Sequence, residues 1–170
     1  ALGYEFLDRS GNPIALGAEG LRDLYEIRAD KLIHGLKDCF FRVACDVKNP
    51  LCGENGCSAV FAPQKGAAPE DIPLMDLWLG RYAEIAESVS SGADKLAEGA
   101  GAAGGLGFAF LTFLNSELKS GISLILDEIK LREDIKDADI VVTGEGRLDR
   151  QSAMGKAPVG AARVAKKHGK

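Results

Sequence analysis

"VVTGEGRLDRQSAMGKAPVG", Val141 to Gly160, passes from an apolar stretch through a loop of acids, arginines and a glycine–lysine pair into small residues at helical spacing. With the preceding "DADI" it opens as a short continuous apolar run, the pattern of a parallel strand covered on both faces. Beyond the loop, Ala157, Ala161, Val164 and Ala165 recur every three or four positions, and Pro158 falls in the first helical turn, where a missing N–H costs little. Strand, glycine turn and helix in this order predict an α/β fold with at least part of its sheet parallel. Ligands in such sheets sit beyond the carboxyl ends of strands. That rule directs attention to two loops, one after Thr143 and one after Val47.

The rest of the chain supplies elements of both kinds. Residues 21–36 carry apolar positions at a partly helical spacing, interrupted by charges from Arg28 to Lys31, which predicts a short or broken helix. "CFFRVACDV", Cys39 to Val47, is rich in aromatic and β-branched residues and precedes the turn-rich "KNPLCGENG", so a buried strand opening into a loop is expected. From Ile72, apolar residues return at Met75, Leu79, Tyr82, Ala86 and Val89, the spacing of an amphipathic helix that Ser90 to Gly92 would end. "EGAGAAGGLGFAFLTFL" reads as a tight glycine turn into a helix apolar on every side, running to near Leu118 and hence buried. A further helix is expected over Ile122 to Ile135.

Composition limits the classes of function. The 170 residues are 46% hydrophobic and 27% charged, which suits a globular chain of one or two domains. A formal charge of −4 gives no basic field to attract a nucleic acid. No apolar run approaches the roughly 20 residues that span a bilayer, and no signal-peptide pattern opens the chain, so a cytoplasmic location is expected. Cys39, Cys45, Cys52 and Cys57 match no zinc template with His34 or His168. They read as structural or bystander thiols, the first two on the strand and the others in the loop. Both histidines and Trp78 read as surface or edge residues.

Three motifs could carry chemistry. In "TGEGRLDRQSAMGKAP", Gly144 and Gly146 allow close backbone approach, Glu145 and Asp149 could hold a divalent cation such as Mg²⁺, and Arg147 and Lys156 could meet phosphate oxygens, with Gln151 beside them. Carboxylates beside cations are what phosphoryl transfer requires. A Walker P-loop is excluded, since Arg150 stands where it needs glycine and Ala157 where it needs Ser or Thr. The competing reading is a solvated loop with surface ion pairs. "GAGAAG", Gly99 to Gly104, satisfies G-x-G-x-x-G without the strand and acid of a dinucleotide site, so a nicotinamide cofactor is not expected. The turn at Gly101, Gly104 and Gly105 could still offer N–H groups to an anion at a helix start, or simply allow close helix packing. "ACDVKNPLCGENG" sets Asp46 and Asn49 past a strand, and "FAPQKG" adds Gln64 and Lys65 in a second polar turn.

Taken in order, "RVACDVKNPLCGENG", "FAPQKGA", "GAGAAGGLG" and "DIVVTGEGRLDRQSAMGKAPVGAARVAKK" resemble the bacterial-type glycerate kinases across essentially the whole chain. Two local departures are Cys57, where the family favours alanine, and Glu98, where proline is common. The family's length is about twice that of this chain, so the resemblance implies a central fragment. It implies residues 1–136 mostly in an inserted α/β domain, residues 137–170 as a strand–loop–helix piece of a Rossmann- or flavodoxin-like domain, and an active site in the cleft between the two. The implied chemistry is transfer of the ATP γ-phosphoryl group, with Mg²⁺, to a glycerate hydroxyl. Glu145, Arg147, Asp149 and Lys156 would be catalytic, with Glu145 and Asp149 on the metal. Asp46, Asn49, Gln64, Lys65, Gly101, Gly104, Gly105, Gly144, Gly146 and Gln151 would bind nucleotide or glycerate. The alternative is a non-catalytic anion- or nucleotide-binding fragment. Apolar surface left by absent strands would favour association between copies.

Overall fold

The computed structural model describes residues 2–146 and 157–170. Its strands are β1 (Glu5–Leu7), β2 (Glu26–Arg28), β3 (Phe41–Ala44) and β4 (Ser116–Lys119). Its α-helices are α1 (Cys57–Phe61), α2 (Asp71–Glu87), α3 (Leu106–Phe113), α4 (Gly121–Glu128), α5 (Leu131–Asp134) and α6 (Ala157–Lys167). Short 3-10 turns lie between them, among them Pro63–Lys65 and Ala102–Gly104. β1 and β2 pair antiparallel, with Phe6 opposite Ile27, and β3 pairs with β4. The chain divides into two compact units, Ala1–Leu118 and Lys119–Lys170.

In the first unit, α2 is the organising element. Its apolar stripe places Leu79, Tyr82, Ala83 and Ala86 in the core, as the three-and-four spacing predicts. They meet Leu24 and Ile27 from around β2, Leu51 and Cys57 from the loop and start of α1, and Ala100 and Phe108 from the glycine turn and α3. Phe108 is fully buried and meets Tyr82 edge to face, with ring centroids 5.1 Å apart. Tyr4 and Phe6 close the cluster through Phe113, and the Tyr4 hydroxyl donates to the Phe113 carbonyl at 2.9 Å. Burial pushes the Tyr82 hydroxyl well above its ordinary pKa, so it stays protonated.

In the second unit, α4 and α5 pack on α6. Pro158, Ala161 and Ala165 form the buried side of α6; of the positions the spacing predicts, Ala161 and Ala165 are buried, Val164 is half-buried and Ala157, at the helix start, is exposed. Gly160 permits the approach: a Cβ there would lie 2.5 Å from Ile122 Cγ1 and 3.3 Å from Leu126 Cδ1. No helix among the described residues is long and apolar enough to cross a membrane.

Several expectations are corrected. The helix expected within residues 21–36 is a 3-10 turn at Glu19–Asp23, then β2, then a second 3-10 turn at Leu36–Asp38, because Ile27 is drawn into pairing with β1. The strand expected from Cys39 is only Phe41–Ala44, and it alternates half-buried and exposed residues, as a one-sided strand does. Cys39 and Cys45 flank that strand, while Cys57 begins α1 and is buried. The helix after the glycine turn is exposed at Leu106 and stops at Phe113, and Ser116–Lys119 becomes β4 because β3 offers it a pairing edge. The helix expected over Ile122–Ile135 breaks at Lys130, whose φ of +54° is left-handed. "DIVVTG" forms no strand: Ile140 is 80% and Val142 89% exposed. A strand exists only through ladder bonds to a neighbour, and no strand of the described residues pairs with this one.

Two substitutions test this packing. Phe108→Ala should cost about 3–5 kcal/mol, read as a fall in the urea midpoint of the first unit. Gly160→Val should destabilise the second unit by about 1–3 kcal/mol through overpacking against Ile122, with little effect on the first.

Candidate functional site

Three of the sequence motifs converge in the first unit, two joined by a backbone hydrogen bond and the third placed by the packing of α1. The Gly101 N–H donates to the Asn49 carbonyl at 2.9 Å, and the Leu51 N–H donates to the Lys95 carbonyl at 2.9 Å. Glycine is demanded by the closeness of these segments. A Cβ on Gly101 would lie 2.3 Å from the Pro50 carbonyl oxygen, and one on Gly107 would lie 2.0 Å from the Gly99 carbonyl oxygen. The Cys45 thiol donates to the Val47 carbonyl at 3.3 Å, and Lys48 pairs with Glu98 at 3.1 Å between exposed side chains. Glu98, a departure from the family pattern, thus makes a surface ion pair of small energetic weight.

The turn from Gly99 to Gly105 is unusual in conformation. Ala103 has φ +49°, Gly104 +71° and Gly105 +100°, a left-handed run directly before α3. Ala103 bears a strain there that the two glycines do not. The Gly105 N–H donates to the Ala102 carbonyl at 3.2 Å, so the N–H groups of Gly101 and Gly105 are both engaged within the loops. At Gly104 an added Cβ would meet nothing within 4 Å. The small residues therefore serve close packing directly, and Gly104 stands at the open side of the turn.

The "FAPQKG" motif follows from α1. That helix packs against the Ala102–Gly104 turn and leads into the Pro63–Lys65 turn, which holds Gln64 and Lys65 exposed. Asp46 is exposed and Asn49 half-buried. The Asn49 side-chain amide donates to the Asn55 carbonyl at 2.9 Å, so this residue braces the loop with its side chain while its own carbonyl receives Gly101. Desolvation, aided by the nearby Asp76 carboxylate, raises the pKa of both the Cys52 and Cys57 thiols. Neither is poised as a nucleophile at neutral pH.

In the second unit, Gly144, Glu145 and Gly146 lie exposed outside any helix or strand. A Cβ at either glycine would meet nothing within 4 Å. Arg147, Asp149, Gln151 and Lys156 lie outside the described residues. Among the described residues no three or more His, Cys, Asp or Glu side chains gather at metal-ligand spacing. A cavity of about 650 Å³ in the first unit, lined by apolar groups including Tyr4, Phe6, Leu16 and Phe110, contains none of the sequence-predicted site residues.

Sequence reasoning missed one participant. The Gly53 N–H donates to the Asp76 carboxylate on α2, 3.0 Å from each oxygen. Within its helix Asp76 stands three residues before Leu79 and seven before Ala83, at the edge of the apolar stripe, so spacing accounts for its partial burial but does not identify Gly53 as its partner.

Comparison with known proteins follows the same residues. The glycerate kinase family model matches residues 1–170. The chain is 47% identical over 170 residues to the glycerate kinase of Haemophilus influenzae and 48% identical over 170 residues to the glycerate 2-kinase of Escherichia coli. Each alignment covers 100% of this chain and 45% of the relative, so the chain spans somewhat under half the length of these curated proteins. A crystal structure assigned as a glycerate kinase 2 from Salmonella typhimurium LT2 superposes with a TM-score of 0.92 at 45% identity, covering 100% of this chain and 46% of that one.

The loop junction makes a contrast of two glycine substitutions informative. Gly101→Ala should shift the amide resonances of Asn49 to Leu51 and destabilise the first unit, because its Cβ would strike the Pro50 carbonyl. Gly104→Ala should leave those resonances in place and cost about 1–2 kcal/mol from the left-handed backbone alone.

Proposed function

Because this chain belongs to the glycerate kinase family, we propose that it forms part of an enzyme transferring the γ-phosphoryl group of ATP to a glycerate hydroxyl, giving phosphoglycerate and ADP. The observation that carries this reading is the family match along the whole chain, with the four motifs in order. The name of the Escherichia coli relative, glycerate 2-kinase, points to the carbon-2 hydroxyl as acceptor.

The residues suit that reaction. Magnesium takes one or two carboxylates, completing its shell with water and phosphate oxygens. Glu145 and Asp149 supply that donor chemistry, so they are the residues that would hold the ion. Bound Mg²⁺–ATP supplies the phosphoryl group and part of the charge neutralisation. Arg147 and Lys156 bind phosphate oxygens or the glycerate carboxylate, Arg147 through its planar fork and Lys156 as a point charge. Lys65 and Gln64 extend from the open 3-10 turn after α1 and serve as further anion and hydroxyl partners. Asn49 and the Gly101–Gly105 turn fix the loop geometry around them, which matters because such catalysis rests on positioning and electrostatics. Gly144, Gly146 and Gln151 complete the binding set in the motif that contains the carboxylates.

A second reading is favoured by the share of the relatives covered: the chain alone binds anions or nucleotide without turnover. A coupled assay of ADP release with ATP, Mg²⁺ and glycerate separates the two when run on this chain and on a full-length protein containing it. Turnover in the long form only identifies a fragment with an incomplete site, and turnover in neither removes the kinase assignment. In an active long form, Asp149→Asn should lower kcat by about 10²-fold or more, the usual scale for a group acting on the reacting centre.

A further inference from the structure

A carboxylate that no motif contains sits under the glycine loop. Asp76 lies half-buried in the second turn of α2, the longest helix of the first unit, one turn before the buried Leu79. It receives the Gly53 N–H on both oxygens at 3.0 Å. Gly53 has φ +96°, and the Gly56 N–H returns to the Gly53 carbonyl at 2.8 Å, so residues 53–56 close a tight turn. A Cβ on Gly56 would lie 2.5 Å from the Cys52 Cα, which leaves the turn no room to shift toward its own base.

From this turn a continuous path leads to the glycine motif. The Asn55 carbonyl accepts from the Asn49 side chain at 2.9 Å, and the Asn49 carbonyl accepts from the Gly101 N–H at 2.9 Å. Asp76 therefore stands at the rigid end of a chain of bonds whose far end is the turn at Gly101 to Gly105. A hydrogen bond to an ionised acceptor is about twice as strong as a neutral one, and its position on a helix packed through Leu79 and Tyr82 makes it a fixed reference. Site residues held this way keep their geometry only while the supporting bond is made.

We propose that Asp76 is a positioning residue for the phosphoryl transfer: by holding the Gly53 N–H it sets the Asn49–Asn55 turn against Gly101, and so fixes the loop that carries Asn49. The role in turnover rests on the glycerate kinase reading, whereas the mechanical link from Asp76 to Gly101 does not.

The test uses the full-length protein containing this chain, with Asp76→Ala, the milder Asp76→Ser in case the first fails to fold, and Asp76→Asn, which retains an oxygen able to accept from Gly53. Amide hydrogen exchange is followed at Gly53 and Gly101, beside KM and kcat for ATP and glycerate and the thermal midpoint. In the alanine and serine variants, exchange at both glycines should rise about tenfold and KM for one substrate should rise about tenfold with a smaller change in kcat, the scale of one lost charge-assisted bond. The asparagine variant should stay within about threefold of the parent on both readouts, since a neutral acceptor keeps about half of the bond's strength. Unchanged exchange at Gly101 in both truncated variants overturns the proposal. So does a lowered thermal midpoint with KM unaltered, the signature of a purely structural role. If the parent shows no turnover, the kinase reading falls on its own, and exchange at Gly101 still decides the link.

Discussion

The arrangement of the candidate site's loops in the first unit depends on how closely two stretches of backbone approach. Gly99 and Gly101 let the segment before α3 lie directly on the loop from Val47 to Leu51, and Gly107 lets the start of α3 lie on Gly99 in turn. The Gly101 to Asn49 bond is the visible product of that approach. It brings a loop that follows a strand and a turn that precedes a helix into one polar cluster, although about 50 residues separate them in sequence.

The cluster inherits its rigidity from the core. Leu51 is fully buried and Ala100 equally so, and both belong to the group that α2 organises around Tyr82 and Phe108. The loops are thus pinned at one residue each while their polar members stay at the surface. Such an arrangement suits a site whose task is to hold charged ligands in place, since side-chain freedom is removed during folding rather than on binding. Asp76 adds a second pin on the same helix, at Gly53.

Legibility in the sequence followed the range of the interaction. α2 and α6 were readable because their apolar stripes recur every three or four residues, and Leu79, Tyr82, Ala86, Ala161 and Ala165 of those stripes are buried while Val89 and Ala157, near the helix ends, are exposed. The segment Asp139–Gly144 was misread as a strand because its composition suits one, yet a strand is made by a neighbour, and here Ile140 and Val142 face outward. β2 and β4 were missed for the converse reason: three or four residues carry too little pattern, and pairing with β1 or β3 decides them. Of the candidate site, the motif residues were legible by type, while the bracing role of Asn49, the engagement of the Gly101 and Gly105 N–H groups, and Asp76 were not.

The sequence by itself determined the mixed α/β class, the two long-spaced helices and the ordered motifs that resemble the glycerate kinases, because each is written in local spacing or in residue type. Tertiary structure alone decided which glycines are obligatory, where strands form, and which carboxylate holds the loop. Those properties are distances between residues far apart in the chain, and a hydrogen bond from Gly53 to Asp76 or from Gly101 to Asn49 leaves no periodic trace in the residues that make it.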